Sequence, residues 1–283
     1  MAGRFARSLA LARASWSVVK ADKELLWLPV LSVLALLLLL GSFMVPAFAF
    51  GVFGPAATAG EPRTALALSG FVFYVLAYFV AIFFNTALVG AALIRMAGGN
   101  PTLRDGLAIA RSRVGRIFGY ALIAATVGLL LQAIEERVGW VGQLVVKLIG
   151  VAWTLATFLV VPVLVVRNVG PIDAVKESAA LLRETWGENL IGTVGLGLAF
   201  AAAYLVVLAA GGGLILLAVN AGLPVLAVLV LVLAVIALVV LSALQATMQG
   251  VYAAALYRHA TEPGSSSAGF TPDLMAGAFQ PKA

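Results

Sequence analysis

The sequence contains no cysteine and a single histidine, His259, and only 11% of its residues are charged. The lack of cysteine excludes disulfide bonds, thiolate nucleophiles and cysteine-based metal sites. One histidine cannot supply a histidine metal cluster within one chain. In proteins that fold in water, about a quarter of the residues are charged. The chain is therefore expected to fold with the lipid bilayer as its solvent.

Apolar residues make up 63% of the 283 residues, and the mean hydropathy is +1.10. A membrane-spanning helix needs about 20 mostly apolar residues. The segments that meet this requirement are 25–50, 66–94, 115–134, 141–166, 190–219 and 223–256. A transmembrane barrel would instead need alternating segments of about ten residues, whereas runs such as VLAVLVLVLAVIALVVL are apolar on every side. The expected fold class is an all-α polytopic bundle of six transmembrane helices.

Lysine and arginine are distributed unequally between the two sides of these spans. Fifteen of the 18 fall on one side, and the other side has only Arg63, Arg137 and Lys147. Cytoplasmic loops carry the excess of basic residues in membrane proteins. The asymmetry predicts a multi-pass protein of the bacterial plasma membrane with both termini in the cytoplasm. The net charge of +6 does not indicate nucleic-acid binding, because the basic residues lie beside apolar spans.

A charged segment with helical periodicity precedes each pair of spans on the basic side. Apolar residues recur at steps of three and four from Phe5 to Val19 and from Leu103 to Ile117. A third stripe contains Ile172, Val175, Ala179, Leu182 and Trp186. Such stripes predict three amphipathic helices along the cytoplasmic surface. Membrane lipids with anionic headgroups are the expected partners, and the candidate contacts are Arg104, Arg111, Arg113, Arg116, Lys176 and Arg183.

The recurrence suggests a threefold internal repeat, in which an amphipathic helix precedes a two-span hairpin. A single transmembrane domain, residues 1–258, would then divide into the repeats 4–94, 102–166 and 171–257. The alternative is that any three cytoplasmic segments would be basic and amphipathic. The small, polar residues of 259–283 predict a disordered cytoplasmic tail. Three consecutive glycines, Gly211–Gly213, leave open whether the fifth span breaks and 211–222 is re-entrant.

Four polar residues inside the apolar runs form a candidate intramembrane site: Asn85, Thr86, Thr154 and Thr157. Counted back from Arg95 at 1.5 Å per residue, Asn85 is about 15 Å from the cytoplasmic boundary, near the middle of the bilayer. A buried amide in hydrocarbon needs a partner. Asn85 is expected either to form a hydrogen bond that fixes helix packing or to line a cavity for a small solute.

Motifs that would indicate an enzyme are missing. The chain has no phosphate loop, dinucleotide motif or catalytic constellation, and no carboxylate lies deep in a span. We therefore expect no catalytic residue, cofactor or metal. The leading hypothesis is a non-enzymatic membrane protein that organises or senses the membrane or holds a partner protein there. The alternative is a transporter or permease for a small neutral or lipid-like solute, and protein partners and oligomeric state are left open.

Three stretches resemble a family of uncharacterised bacterial integral membrane proteins with six predicted spans: ASWSVVKADKELLWLPVLS, FFNTAL and VVPVLVVRNVGPIDAVKESAALLRETWGE. The resemblance covers most of residues 4–257. The chain is more distantly similar to the membrane domain attached to some glycerophosphoryl diester phosphodiesterases. The resemblance implies the six-span architecture but no transferable activity. Phosphodiesterase chemistry is not expected, because the 283 residues contain no such soluble domain.

Overall fold

A computed structural model describes residues 13–49, 63–186 and 191–262, and every regular element in these ranges is a helix. The described part of the first helix, α1, is residues 13–21, and a 3₁₀ turn, Lys23–Leu26, leads into the first span. The following helices are α2 (Trp27–Ala49), α3 (Arg63–Met96), α4 (Leu103–Ser112), α5 (Val114–Glu135), α6 (Trp140–Ala156), α7 (Val160–Val166), α8 (Pro171–Trp186), α9 (Ile191–Asn220) and α10 (Pro224–Thr261). The expected all-α fold class is confirmed.

The described residues include six helical segments that are long and apolar enough to cross a membrane: Lys23–Phe48, Ala67–Met96, Val114–Glu135, Trp140–Val166, Ala199–Asn220 and Pro224–Thr261. They agree with the six spans predicted from the sequence, as expected of a multi-pass membrane protein. Helices are favoured in hydrocarbon because their backbone groups bond within the segment. Large apolar side chains along them are exposed, as at Leu38 (77%) and Val225 (73%), and acyl chains can cover such surface.

The fifth span continues through its three glycines, so the re-entrant alternative for 211–222 is wrong. Helix α9 is unbroken from Ile191 to Asn220. A Cβ atom on Gly211 would lie 3.1 Å from the Cβ of Ala234 on α10, so the glycine permits close packing of the two helices. The interruption lies instead in the fourth span, where α6 ends at Ala156 and α7 begins at Val160.

The chain divides into two compact units. Unit 1 is made of Met1–Val30, Ala91–Leu103 and Arg183–Ala283, and unit 2 of Leu31–Gly90 and Arg104–Leu182. The boundaries of these units cross those of the three suggested repeats, which stay a prediction.

In unit 1, the buried core gathers at one end of the helices. Val18 and Val19 of α1 and Leu28 of α2 are at most 2% exposed. The final turns of α10 are also buried, from residue 250 to residue 257. Val225, near the start of α10, is 73% exposed. Packing against protein therefore stabilises one end of α10, and the other end is left for lipid.

In unit 2, α7 lies in the core, because all six residues from Val160 to Val165 are buried. Ile117 of α5 is also completely buried. Helix α4 packs directly on the backbone of α3, since a Cβ on Gly90 would lie only 2.9 Å from the Cδ1 atom of Ile109. The short helices of unit 2 are therefore packed into its fold.

The buried face of α8 agrees with the predicted stripe at Leu182 but departs from it at the start of the helix. Ala174, Ser178 and Leu182 are buried at steps of four, whereas Ile172 of the predicted stripe is 60% exposed. The prediction included apolar residues alone and therefore missed Ser178, whose hydroxyl forms buried hydrogen bonds.

Helix α4 ends before the predicted stripe does. Gly106 and Ala110 are its buried residues. Val114, which was assigned to the same stripe, begins α5 and is 46% exposed. The extent of the stripe beyond Ser112 was therefore wrong, because the chain turns at Arg113 and a new helix starts.

Both ends of the chain include predicted features that fall outside the described residues. The first amphipathic stripe was expected to begin at Phe5, and the described part of α1 begins at residue 13. The disordered tail was predicted from residue 259, but α10 continues to Thr261. That boundary was therefore too early, and residues 263–283 are not among those described.

Candidate functional site

The four candidate intramembrane residues do not form one cluster. The hydroxyls of Thr86, Thr154 and Thr157 donate to carbonyl oxygens of their own helices, Ile82 at 2.7 Å, Gly150 at 2.9 Å and Trp153 at 2.8 Å respectively. Thr86 is completely buried. Asn85 is exposed, and its amide forms no hydrogen bond with another described residue. Neither role predicted for Asn85 is therefore visible in its contacts.

The position of Asn85 within unit 2 follows from the packing of α3 on α5. Phe79 of α3 packs edge to face on Phe118 of α5, with ring centroids 5.8 Å apart. Helices α3 and α5 run in opposite directions. At 1.5 Å per residue, Asn85 lies about 9 Å beyond Phe79 along α3, and Arg113 lies about 8 Å before Phe118 along α5. Asn85 is thus level with Arg113. The depth of Asn85 in the bilayer stays a prediction.

The break between α6 and α7 is closed by a serine from α8. The hydroxyl of Ser178 accepts a hydrogen bond from the backbone N–H of Leu159 at 3.0 Å and donates one to the carbonyl oxygen of Ala156 at 2.7 Å. Pro162 explains the break, because it has no N–H and its ring would clash with the carbonyl four residues earlier. The sequence position of Pro162 could have predicted the break between α6 and α7. The contact of Ser178 with this break becomes visible only in the structure.

A track of hydroxyl groups crosses unit 2 near this break. The hydroxyl of Tyr74 donates to that of Tyr78, 3.3 Å away on α3. The hydroxyl groups of Tyr78 and of Tyr120 on α5 interact electrostatically, and the side chain of Tyr120 is hydrogen-bonded to that of Thr157. Gly128 leaves room for the track, since a Cβ there would lie 3.0 Å from the Tyr74 hydroxyl oxygen. Of these residues the sequence reasoning had selected only Thr157.

Three arginines of unit 2 converge where α5 begins and α7 ends. Arg113 donates a hydrogen bond from Nη1 to the carbonyl oxygen of Arg167, at 3.2 Å. Arg116 donates to the side-chain oxygen of Asn168. The Nε atom of Arg167 lies 3.2 Å from Oε1 of Glu177 on α8. We call these three arginines and Asn168 the arginine cluster; Arg113 and Arg116 were candidate lipid contacts, and Arg167 and Asn168 were not.

The arginine cluster has more positive charge and more donors than its protein contacts use. Glu177 forms an ion pair with Arg167, whereas Arg113 and Arg116 form no ion pair with a described residue. Burial lowers the pKa of Arg113, and the neighbouring positive charge of Arg116 lowers it further. The Nε–H group of Arg113 is buried and has no acceptor among the described residues. A bound anion beside these guanidinium groups would relieve their mutual repulsion.

The exposed face of α4 carries two further arginines from the predicted set. Arg104 and Arg111, seven residues apart, share that face with Ala108, and all three side chains are exposed. Neither guanidinium forms a hydrogen bond or ion pair with another described residue. These residues, Arg104, Ala108 and Arg111, form what we call the basic face of α4.

The two remaining candidates lie on α8. Lys176 is 74% exposed and pairs with Asp173 one turn earlier, at 3.7 Å. Arg183 is also exposed. We refer to the basic face of α4 and the arginine cluster together as the arginine-rich end of unit 2.

In unit 1, the polar contacts tie chain segments together. Asp22 is 8% exposed and pairs with Arg95, with 2.6 Å between its Oδ2 atom and Nε. Arg95 also donates to the carbonyl oxygen of Ala21 at 3.3 Å. Glu24 accepts a hydrogen bond from the backbone N–H of Leu103, at 3.1 Å, where α4 starts. The ADKE stretch of the first quoted motif therefore has a structural role.

Burial is the largest influence on the Asp22 carboxyl and raises its pKa above the ordinary value of 3.8. The positive charge of Arg95 acts in the opposite direction, and the negative charge of Glu24 raises the pKa further. Close to the same place, Arg258 of α10 donates a hydrogen bond to the carbonyl oxygen of Met96. Arg95 and Arg258 of unit 1 are thus bonded within the fold.

The described residues contain no group of three histidine, aspartate or glutamate side chains that could hold a metal ion. The sites available in them consist of guanidinium, hydroxyl and amide groups. Such groups can bind an anion or a polar solute.

Residues 64–269 match a family described as a family of unknown function, DUF6159. The chain belongs to this family. The match covers most of the chain, including α3 to α10 with both parts of the arginine-rich end. No curated protein is detectably similar to the chain. The chain is therefore a multi-pass membrane protein of a family without an established activity.

Proposed function

We propose that the protein gathers anionic lipids at its arginine-rich end, and so organises or senses the cytoplasmic leaflet of a bacterial plasma membrane without catalysing a reaction. The basic face of α4 is the observation that carries this proposal. Arg104 and Arg111 are exposed, lie on one face and are bonded to no other described residue. They are consequently available to lipid phosphates.

The expected energies are large enough to bias the surrounding lipid. A basic residue near an anionic membrane surface contributes about 1 kcal/mol. Two such residues on α4 would contribute about 2 kcal/mol, which is a factor of roughly 30 in local lipid affinity. The effect should weaken as salt screens the charges.

The orientation, the compartment and the absence of catalysis belong to the same proposal. The excess of basic residues on one side supports a cytoplasmic position for the arginine-rich end. A relation to the membrane domain of glycerophosphoryl diester phosphodiesterases would be one of architecture, and we propose no phosphodiester chemistry for this chain.

The test is the lipid selectivity of the purified protein in mixed bilayers. Spin-labelled phosphatidylglycerol and phosphatidylcholine report the relative association constant of each lipid with the protein. We expect phosphatidylglycerol to be preferred at low salt, and the preference to fall in a variant carrying Arg104→Gln and Arg111→Gln.

A matched control carries Arg137→Gln and Lys147→Gln, which removes one positive charge just past the end of α5 and one about two turns into α6. These two residues are exposed, and Lys147 lies 3.6 Å from Glu135. The control should keep the preference for phosphatidylglycerol. Equal losses in both variants, or none in the α4 variant, would remove the assigned role of α4.

A second candidate function, transport of a small polar solute, is favoured by the hydroxyl track and the helix break. Tyr74, Tyr78, Tyr120 and Thr157 bring hydroxyl groups into the mostly apolar spans of unit 2. The break at α6–α7 provides backbone that could bend. This function requires water to reach the track.

Water access can be measured by cysteine labelling, because the natural chain has no cysteine. Transport predicts that Thr157→Cys reacts with a membrane-impermeant methanethiosulfonate reagent. Ala125→Cys serves as a dry control, since Ala125 is completely buried on α5. A rate for Thr157→Cys no greater than that of the control would exclude an aqueous path at this position.

A further inference from the structure

We infer that the arginine cluster of unit 2 is a discrete binding site for one phosphate group, carried by a single anionic phospholipid or present as a free ion. This inference rests on the proposed function and makes it more specific. The basic face of α4 would attract many anionic lipids weakly, whereas the arginine cluster would hold one phosphate at a defined place.

The geometry brings the donors of the cluster to one short segment. Arg113 and Arg116 are one turn apart at the start of α5, and their side chains reach the adjacent residues Arg167 and Asn168. Arg167 itself carries the third guanidinium. Three guanidinium groups are thus collected around two consecutive residues that are both exposed, so that a ligand can reach them.

The cluster retains donors that the protein does not use. A guanidinium has five N–H donors in a planar fork that matches the oxygens of phosphate. The structure gives Arg113 one hydrogen bond, through Nη1, and its Nη2 group forms no hydrogen bond with another described residue. Phosphate oxygens would supply acceptors and negative charge together.

The surrounding negative charge is limited. Glu177 contacts Arg167 at 3.2 Å. The next carboxylate along the chain, Asp173, pairs with Lys176 at 3.7 Å and therefore offers the cluster little further compensation. Glu177 is accordingly the group that competes with a phosphate for Arg167.

The experiment titrates the delipidated, full-length protein in neutral detergent with phosphatidylglycerol, phosphatidylcholine or inorganic phosphate. Native mass spectrometry counts the bound molecules and thermal unfolding reports stabilisation. We expect one saturable phosphatidylglycerol per chain and weaker, unsaturated binding of phosphatidylcholine. Phosphatidylglycerol binding that inorganic phosphate cannot displace would identify the lipid as the ligand. Displacement by inorganic phosphate, with matching stabilisation by phosphate alone, would identify the free ion.

Two variants and one control connect the binding to the cluster. Arg116→Gln should weaken saturable binding on the order of tenfold, which corresponds to about 1.4 kcal/mol. Glu177→Gln should tighten it roughly threefold, because an exposed ion pair that competes with the ligand is removed. A purely structural role for Glu177 would give lower stability and no gain in affinity. Arg137→Gln, an exposed arginine just past the end of α5, should leave the affinity unchanged.

The Glu177→Gln variant keeps the inference testable if Arg116→Gln fails to fold. Absence of saturable binding by either phosphate source, or equal affinity in the wild type and Glu177→Gln, would overturn it. Its failure is distinguishable from failure of the proposed function. Selectivity for phosphatidylglycerol that depends on Arg104 and Arg111, without a saturable site, would leave the proposed function intact and remove only the discrete site.

Discussion

At the scale of single residues, Ser178 shows how one buried hydroxyl can allow a membrane helix to break. Its side chain is completely buried and bonds the backbone of Leu159 and Ala156 on either side of the gap. Ser178→Ala should lower the free energy of unfolding in detergent by about 1–3 kcal/mol, because two buried backbone groups lose their partner.

Ser242→Ala is the matched control for this substitution. Ser242 donates only to the carbonyl oxygen of Val239 in its own helix, at 2.8 Å. Its replacement should change stability by about 0.5 kcal/mol or less. Equal effects of the two substitutions would show that Ser178 does not support the break.

Asp22 predicts a pH dependence of stability. Burial raises the pKa of this carboxyl above 3.8 in the folded protein, so the folded state binds its proton more tightly than the unfolded state. The free energy of unfolding contributed by Asp22 should therefore fall as the pH rises from about 3.8 through the raised pKa. Unfolding of the wild type and Asp22→Asn in detergent, compared between about pH 3 and pH 6, isolates this contribution.

The difference in unfolding free energy between the wild type and Asp22→Asn shows the direction in which pH acts through Asp22. It should shift in favour of Asp22→Asn as the pH rises, since the amide has no proton to lose. A difference that shifts in favour of the wild type over the same range would mean that Arg95 outweighs burial. Asp22 would then have a lowered pKa.

At the scale of helices, the packing of α4 on α3 depends on a glycine. A Cβ on Gly90 would lie 2.9 Å from the Cδ1 atom of Ile109. Gly90→Leu should therefore displace α4 and lower the free energy of unfolding by about 1–3 kcal/mol. Thermal unfolding in detergent measures the loss.

Two further variants identify the cause of that loss. Gly70 is on the same helix, and a Cβ atom there would have no neighbouring atom within 4 Å among the described residues, so Gly70→Leu should be close to neutral. Ile109→Ala in the Gly90→Leu background should restore part of the stability, because it removes the clashing side chain. A Gly70→Leu variant as unstable as Gly90→Leu would show that the contact with Ile109 is not the cause, since leucine has a higher helix propensity than glycine.

The helices also show what the sequence could and could not predict. Long apolar runs identified all six spans, because length and hydrophobicity alone select a membrane helix. The buried face of α8 was mispredicted in part, because burial of Ser178 depends on the break between α6 and α7, which local periodicity does not reveal. The hydroxyl track was missed for a similar reason: Tyr74, Tyr78 and Tyr120 meet only after α3 and α5 have packed.

The arginine-rich end was predicted in part. The sequence selected Arg113 and Arg116 for their charge and position. It did not select Arg167 and Asn168, which follow a span and became part of the cluster only when α7 brought them to the start of α5.

At the scale of the whole molecule, the distribution of basic residues predicts the orientation in the membrane. Ala108→Cys on the basic face of α4 and Glu136→Cys at the end of α5 introduce single exposed thiols into a chain without cysteine. In intact cells, a membrane-impermeant thiol reagent should label Glu136→Cys, and should label Ala108→Cys only after the cells are opened. The reverse pattern would place the arginine-rich end outside the cytoplasm.

The central claim, that anionic lipid binds at the arginine-rich end, is tested most directly by mapping where such a lipid touches the protein. A phosphatidylglycerol analogue with a photoreactive headgroup can be cross-linked to the wild-type protein in lipid nanodiscs, and the modified peptides identified by mass spectrometry. If anionic lipid binds at the arginine-rich end, cross-links should concentrate in residues 103–116 and 167–176. Cross-links concentrated in residues 132–147, or distributed equally between the two ends of the helices, would contradict it.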